Sequence, residues 1–512
     1  MHRLLKLAAC FALPCVVTPG AQALGFATLQ ELISKHDITS AEGLVRALPD
    51  ALRTQYALVF QSRSLQGASY ANPRSILFGD DATLIVTFNG DPAERGYDLI
   101  ETMEFDGQTD SFQFREIEFN GAGNPPTISD ANPPRCTSCH GSPARPIWDT
   151  PPSWPGVYGE RYLRGLSARE AAGIRSFLDL QPAHPRYSAL LGASRFADRD
   201  TYVTSAHAAY NGTAIEPPNA RLSGLLTQLN ARAILARLVA RPGYASHRYV
   251  LLAAAEGNCG RLEEFYPPAL RKSLDAQVRE YQAAHAHVDT QQDAAKVRRL
   301  ETGGATVSHA LRPVDMASLR FVVERGLGAS TDSWTLALEG NTFDLAAPAD
   351  TRSVREVLFG QVGGADRALA EARQYRSFTA TDAYCQLLAK RSQQALGQWY
   401  ASESADPPTH APADDDLATA AATGGGAPPA IKLCATCHTG EVAPQIPFGN
   451  ATELAPRLNT GNYPHGHLLD EVLYRLSEGA GTDRMPRGRL LPPEQVQALR
   501  AYFTGLGTKS GQ

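Results

Sequence analysis

The pattern C-x-x-C-H occurs twice in the chain, at Cys136–His140 and at Cys434–His438. Two thiols separated by two residues can each form a thioether with one vinyl group of a haem, and the adjacent His then lies under the iron as an axial ligand. Each copy uses three residues of uncommon type, in a chain that contains only eight cysteines. The sequence therefore predicts two covalently attached c-type haems.

The two motifs assign a role to each of their side chains. The predicted thioether residues are Cys136, Cys139, Cys434 and Cys437, and the predicted proximal iron ligands are His140 and His438. A zinc site made of the four thiolates is the alternative. It is disfavoured because the two pairs are about 300 residues apart in the sequence, far from zinc-ribbon spacing, and because a His follows each pair directly.

The second motif opens a segment whose elements follow a recognisable order. An amphipathic stretch at 468–476 comes after the motif, Arg484-Met485-Pro486 follows it, and a final helix is predicted to begin at Pro492. In this order and spacing, residues 431–505 resemble a class I cytochrome c domain along their whole length. The resemblance implies that Met485 is the distal ligand, a soft thioether that raises the reduction potential.

Other side chains near the second motif have less specific readings. Met485 could instead fill a gap in the core. His465 and His467 precede the amphipathic helix, where solvent or a haem propionate is the expected partner rather than the iron.

The first motif has different surroundings. No Met-Pro pair follows it at the distance expected of a class I domain, and the next methionine is Met316. His184 is the nearest downstream histidine and is the predicted distal ligand, although an open, five-coordinate iron is an equal alternative. The weaker candidate ligands are His207, His247, His309, Met103 and Met316.

Charged and aromatic residues flank the first motif. Arg135 and Arg145 are candidates to pair with a haem propionate, with ordinary surface charge as the alternative. Trp148 and Trp154 are expected to line the haem pocket or the core rather than to relay electrons.

The N-terminus has the features of a secretory signal. Residues 1–23 combine a basic start, a short apolar run and the small-residue site Ala21-Gln22-Ala23. Residues 7–10 resemble a lipoprotein box, but it comes too early to leave an apolar region before it. The apolar run is too short to span a membrane, so we expect a periplasmic protein. In that oxidising compartment the two remaining cysteines, Cys259 and Cys385, are predicted to form a disulfide rather than to pack as two separate thiols.

The composition limits the classes of partner that we expect for the protein. The net charge is −5 and there is no long basic run, so nothing indicates nucleic acid. No transmembrane segment is predicted, and a redox partner protein is expected.

The chain divides by pattern into five parts. They are a signal peptide at 1–23, an α+β segment with a β-meander at 24–130, a mainly helical domain that carries the first motif at 131–401, a Pro-, Ala- and Gly-rich linker at 402–428, and the cytochrome c-like segment at 429–512. The predicted fold class is a mainly α multidomain chain with a small N-terminal antiparallel β part and a C-terminal all-α cytochrome c domain.

These features favour a di-haem c-type electron carrier. The order of an atypical haem followed by a His/Met haem is also similar to that of bacterial di-haem cytochrome c peroxidases, and at motif level to the rubber-oxygenase type. That resemblance implies an enzyme in which the first haem activates peroxide or O₂. The two motifs are much farther apart here, and the β-rich and long helical regions have no counterpart in the peroxidases. Whether the chain is an enzyme therefore stays open at this point.

Overall fold

The structure is a computed structural model that describes residues 24–62, 64–121, 123–141, 143–146, 156–159, 165–202, 217–256, 259–281, 316–329, 354–363, 366–373, 382–402, 427–428, 430–431, 434–435, 438, 445–477, 485, 491 and 493–509. Helices predominate, and they accompany one small antiparallel sheet. The predicted mainly α character with an N-terminal β part is confirmed.

Three short helices precede the sheet: α1 (Phe26–Lys35), α2 (Ala41–Ala47) and α3 (Asp50–Thr54). Ser40 caps α2, because its Oγ atom accepts a hydrogen bond from the Gly43 N–H at 3.1 Å. Helix α1 begins directly after Gly25.

The sheet is a six-stranded meander in which each strand pairs with the next along the chain. Its strands are β1 (Tyr56–Val59), β2 (Arg74–Leu77), β3 (Leu84–Phe88), β4 (Leu99–Asp106), β5 (Ser111–Glu118) and β6 (Thr127–Ile128). A turn that includes Gly107 joins β4 to β5, with Asp106 opposite Ser111. The four residues of β1 are buried and pair with β2.

The helices after the sheet fall in two groups. Before residue 282 they are α4 (Pro134–His140), α5 (Ala168–Leu180), α6 (Pro218–Val239) and α7 (Tyr244–Glu256), with 3₁₀ turns at Gln181–Ala183, Tyr187–Ala189, Ala193–Ala197, Arg199–Thr201 and Leu262–Phe265. After residue 315 they are α8 (Met316–Phe321, continued by a π-turn at Val322–Gly326), α9 (Val354–Gly363), α10 (Arg367–Ala372), α11 (Asp382–Ser402), α12 (Ala451–Leu458), α13 (Leu468–Arg475) and α14 (Pro493–Lys509).

Both faces of the sheet are covered. Side chains alternate along each strand, so that Tyr56 and Leu58 face one core while Ala57 and Val59 face the other. The first sheet core contains residues of α1, α2, α3, α5 and the 3₁₀ turns. The second sheet core, which contains Cys136, lies between the opposite face and α6. Both sheet cores combine residues from before and after residue 130, where the α+β segment was predicted to end. The predicted domain boundaries stay predictions.

Two further cores lie outside the sheet. The helical core is formed by residues 231–396, with α7 at its centre. The C-terminal core is formed by residues 430–503, and its fully buried members include Leu499 and Phe503 of α14. Among the residues that the structure describes, no helix is both long enough and apolar enough to cross a membrane.

The predicted disulfide is present. Cys259 and Cys385 are bonded to each other, 126 residues apart in sequence. Both side chains pack against the helical core. The bond therefore ties the segment after α7 to the beginning of α11.

Candidate functional site

The first motif is held against the sheet by Asn132, four residues before Cys136. Asn132 has a positive φ of 57°, a conformation that asparagine tolerates better than most residues. Its backbone N–H donates to the Phe114 carbonyl at 2.7 Å, and its side-chain oxygen accepts from the Phe114 N–H at 2.8 Å. Asn132 thus extends the pairing of β5 and directs the chain into α4.

Two prolines begin the motif helix. Pro133 occupies the N-cap position of α4 and Pro134 its first turn, where the missing N–H costs nothing. Because Cys136 and Cys139 are three residues apart in this helix, they lie on one side of it. Neither forms a disulfide.

Cys136 lies in apolar surroundings. It is 8% exposed and packs in the second sheet core. Burial raises the pKa of its thiol well above the ordinary value, and the nearby Glu116 carboxylate raises it further. Apolar walls formed by the sheet and α6 are what a porphyrin macrocycle requires.

The His140 imidazole has a defined tautomer. Its Nδ1 lies 2.8 Å from the carbonyl oxygen of Arg145, which can only accept, so Nδ1 carries the proton. The ring also lies against Phe114, with centroids 3.9 Å apart. Burial lowers the pKa of His140 to about 4, which keeps the ring neutral. A neutral imidazole fixed through Nδ1 presents Nε2 as a ligand, and the first motif in this respect fits a haem.

Charged groups lie beside the motif on the same face of the sheet. Arg74 pairs with Glu101 at 2.8 Å, and Glu101 lies opposite Glu116 in the pairing of β4 with β5. Arg135 pairs with Glu116 at 3.6 Å and is 40% exposed. Burial raises the pKa of Glu116. Sequence reasoning missed these carboxylates because their approach to Cys136 depends on strand register.

Arg145 differs from Arg135 in its position. It is 8% exposed, and its Nη1 donates to the His140 carbonyl oxygen at 3.3 Å. Of the two candidate propionate partners, Arg145 is therefore the one enclosed beside His140. Trp148 and Trp154 lie outside the described residues.

The predicted role of His184 as the distal ligand is not supported. Its Nε2 lies 2.8 Å from the Gly90 carbonyl oxygen, and its Nδ1 accepts hydrogen bonds from the N–H groups of Arg186 and Tyr187. Both ring nitrogens are thus engaged, and no lone pair is left for iron. The ring also stacks on Tyr187 at 4.2 Å.

The segment around His184 has a structural role instead. Arg186 is fully buried, pairs with Glu42 of α2 at 2.7 Å and donates to the carbonyl oxygens of Asn89 and Tyr97. These bonds join the 3₁₀ turns to α2 and to the β3–β4 connection. A His-Pro-Arg sequence could not reveal this, since the partners of His184 and Arg186 in α2 and in the β3–β4 connection are more than 80 residues away in the chain.

The weaker candidates are dispersed. His207 and His309 lie outside the described residues. Met103 is 2% exposed within the second sheet core, and Met316 begins α8. His247 is 2% exposed, and its Nδ1 lies 3.0 Å from the carbonyl oxygen of Gly243, the residue before α7.

The second motif packs on the C-terminal core. Cys434 contacts that core and is not disulfide-bonded, and burial raises the pKa of its thiol to about 11. The His438 N–H donates to the Cys434 carbonyl oxygen at 3.0 Å, as in a helical turn. The ring of His438 lies edge-on to Phe448, which in turn contacts Phe503 of α14. Cys437 lies outside the described residues.

Met485 is anchored at the end of α13. Its N–H donates to the Arg475 carbonyl oxygen at 2.8 Å, one of the carbonyls that a helix C-terminus leaves without an internal partner. The Met485 side chain is half-buried. Its flanking residues Arg484 and Pro486 lie outside the described residues.

The two histidines before α13 have protein partners. The His465 Nδ1 pairs with Glu471 at 2.8 Å, and its ring stacks on Tyr474. The His467 Nδ1 lies 3.0 Å from the Gly461 carbonyl oxygen, and this side chain is exposed. In the described part of the chain, no group of three or more His, Cys, Asp or Glu side chains is arranged to hold a metal ion.

Comparison of the chain with models of protein families, with curated proteins and with solved structures found no match.

Proposed function

We propose that the chain is an exported di-haem c-type cytochrome that transfers electrons. The observation that carries this proposal is the geometry of His140 within a C-x-x-C-H motif: its Nδ1–H is bound by the Arg145 carbonyl oxygen, which leaves Nε2 to serve as a ligand. In the proposal Cys136, Cys139, Cys434 and Cys437 form the thioether bonds, and His140 and His438 are proximal ligands. A c-type haem, when bound, supplies a one-electron redox centre.

We propose that residues 429–512 fold as an all-α cytochrome c domain, with Met485 as the distal ligand. Support comes from the C-terminal core, in which the motif residue Cys434 and the last helix, α14, pack on the same cluster. The bond from the Met485 N–H to the end of α13 limits the positions that its side chain can take.

The proposed location is the periplasm, and the proposed partner is a redox protein. The signal-like residues 1–23 lie outside the described part of the chain. The disulfide between Cys259 and Cys385 supports export, since such bonds persist mainly in oxidising compartments.

Haem content tests the proposal. After expression in a host with c-type maturation and export, the pyridine haemochrome assay should find two haems per chain, and both should resist acid–acetone extraction. Replacing Cys136 and Cys139 with Ala should remove one haem, and replacing Cys434 and Cys437 should remove the other. One haem or none in the unmutated protein would refute the proposal.

A second candidate function is a di-haem peroxidase or oxygenase, in which the second haem feeds electrons to the first. Two observations favour it: both nitrogens of His184 are engaged elsewhere, and the ion pairs of Glu101 and Glu116 lie beside Cys136. Such carboxylates are potential proton donors and acceptors.

The coordination of the first haem discriminates the two functions. EPR of the oxidised protein should show only low-spin signals if the chain is a carrier. Two results together would favour the enzyme over the carrier. They are a high-spin signal in the oxidised protein, and H₂O₂ turnover after one-electron reduction that is abolished in His140→Ala.

A further inference from the structure

Two carboxylates lie side by side on the face of the sheet that carries the first motif. Glu101 of β4 is directly opposite Glu116 of β5 in the pairing of these strands. Directly opposite residues of an antiparallel pair have their Cβ atoms about 5 Å apart, and like charges at such positions repel each other. The two side chains are 19% and 12% exposed, so salt screens this repulsion less than it would on an open surface.

The ion pairs of the two carboxylates differ in strength. Arg74 lies 2.8 Å from Glu101, is 8% exposed and makes two further hydrogen bonds to side-chain oxygens of its surroundings. Arg135 lies 3.6 Å from Glu116 and is 40% exposed, and an ion pair with such an exposed partner contributes little. Glu116 is therefore the carboxylate whose negative charge is less well compensated.

Glu116 also contacts the motif directly. Its Oε1 atom lies 3.8 Å from the Cys136 Sγ, while its Oε2 atom faces Arg135. The thiol can donate a hydrogen bond to Oε1, but a thioether sulfur has no hydrogen to donate. Once Cys136 is bonded to a haem, the carboxylate would thus lie beside the macrocycle without that donor. Burial raises the pKa of Glu116, the charge of Arg135 opposes this, and the charge of Glu101 adds to the rise.

Charged groups on the other elements around this core are engaged elsewhere or add to the negative charge. Glu118, two residues further along β5, is exposed and also disfavours ionisation of Glu116. Arg232 of α6 pairs with Asp110 at 2.6 Å, and Arg145 donates to the backbone at the end of α4. Neutralisation of Glu116 therefore depends on Arg135 or on a proton.

We propose that Glu116 is a proton-binding site coupled to the haem at Cys136 and Cys139. This inference rests on the proposed function, since it needs a haem at the first motif. When the redox partner supplies one electron and iron goes from Fe(III) to Fe(II), the Glu116 carboxylate takes up one proton from solvent and becomes a carboxylic acid. Reoxidation releases both the electron and the proton. The added electron makes the surroundings of Glu116 more negative, and a nearby negative charge favours the protonated form of a carboxyl group.

The test is redox titration of the full-length di-haem protein at a series of pH values. In the unmutated protein the potential of the first haem should fall as the pH rises, because reduction takes up a proton. In Glu116→Gln that potential should be independent of pH. It should lie above the unmutated value at alkaline pH, where a negative charge has been removed, and meet it at acidic pH, where Glu116 is protonated. The potential of the second haem should be the same in both proteins.

Glu104→Gln is the matched control. It makes the same charge change on the same sheet, at a side chain that is 23% exposed and pairs with Arg115 at 3.2 Å. Glu104 accepts a hydrogen bond from the N–H of Phe26, a residue of the first sheet core, so it lies on the face away from the motif. This variant should keep the pH dependence of the first potential.

The haem propionates are the other source of a titrating carboxyl group, and Glu116→Asp separates the two if the Gln variant does not fold. Asp keeps a titrating carboxyl group but has a shorter reach, so the pH range over which the first potential changes should be displaced. Propionate titration predicts an undisplaced range. The inference is overturned by a first potential that does not depend on pH in the unmutated protein, by a dependence that survives unchanged in Glu116→Gln, by an equal loss in Glu104→Gln, or by an undisplaced range in Glu116→Asp.

Haem content is measured before any titration. A protein without haem at the first motif refutes the proposed function. A protein that carries both haems but shows none of the expected pH dependence refutes only this inference.

Discussion

Single hydrogen bonds at ring nitrogens decide what the histidines of this chain can do. His140 and His184 are both held by backbone carbonyl oxygens, but His184 also accepts two N–H groups at its other nitrogen. The first ring therefore presents a lone pair and the second does not. The same accounting of donors and acceptors applies to any histidine proposed as a ligand.

At the residue scale, Met485→Ala tests the proposed distal ligand of the proposed second haem. Loss of a thioether that favours Fe(II) should lower the potential of that haem. It should also abolish the weak far-red band that the resemblance to class I cytochromes implies for the oxidised protein. Met103→Leu is the control, because Met103 is buried on the sheet and should leave both properties unchanged. A band that survives in Met485→Ala would assign the ligand elsewhere.

Glu471 supports a prediction about pH. Burial tends to raise its pKa, but hydrogen bonds and charges from His465 and Arg475 outweigh this and hold the pKa below 4.5. A carboxylate with a lowered pKa in the folded state stabilises the protein above its unfolded pKa, and that stabilisation is lost as the pH falls through the lowered value.

The measurement is the thermal midpoint of the unmutated protein and of Glu471→Gln as a function of pH. Near neutral pH the variant should be less stable by about 1 kcal/mol, and the difference should shrink below pH 4.5, the ordinary value for the group. A difference that is the same at neutral and acidic pH would show that the ion pairs of Glu471 do not contribute.

At the element scale, the sheet positions the first motif through its fifth strand. β5 contributes Phe114, whose backbone pairs with Asn132 and whose ring lies on His140. The same strand contributes Glu116 next to Cys136. Strand β5 is thus the element that connects the β-meander to the chemistry of the motif.

Asn132 offers the corresponding test. Asn132→Ala removes the acceptor of the Phe114 N–H and places a less tolerant residue at positive φ, which should cost roughly 1–3 kcal/mol. Asn132→Asp keeps an acceptor and should cost less. Denaturant unfolding measures the free energy of both variants. Equal stability of the Ala variant and the unmutated protein would mean that Asn132 does not anchor the motif.

At the scale of the whole molecule, the C-terminal core is self-contained in sequence. All of its members, including Ala430 and Phe503, lie in residues 430–506, after the Pro-, Ala- and Gly-rich stretch at 402–428. Among the described residues, the helical core likewise includes none beyond 400. The two sheet cores differ, since they combine residues from both sides of residue 130.

This arrangement predicts the outcome of limited proteolysis. Cleavage should occur between residues 402 and 428, since that stretch has no apolar periodicity. Residues 429–512, expressed alone with haem maturation, should be soluble and keep the spectrum of the second haem. Resistance of the stretch to protease together with an insoluble fragment would show that the two parts depend on each other.

The sequence by itself determined the features that depend on neighbours in the chain. The C-x-x-C-H spacing places two thiols and an imidazole close together on one helix. Ser40 caps α2 by accepting a hydrogen bond from the N–H three residues on, and the turn after Asp106 reverses the chain between β4 and β5. In each case the interacting groups lie within a few residues of each other, so local geometry fixes the outcome. The pairing of Cys259 with Cys385 could be predicted only because the other cysteines already had roles.

Tertiary structure alone decided which distant groups meet. The Nε2 atom of His184, the predicted distal ligand, lies against the carbonyl oxygen of Gly90, 94 residues away. Glu116 reached Cys136 through strand register, and the buried side of α6 packs on the same core as Cys136. A short pattern cannot encode these approaches, because they depend on how the sheet and α6 enclose a shared core rather than on the spacing of residues along the chain.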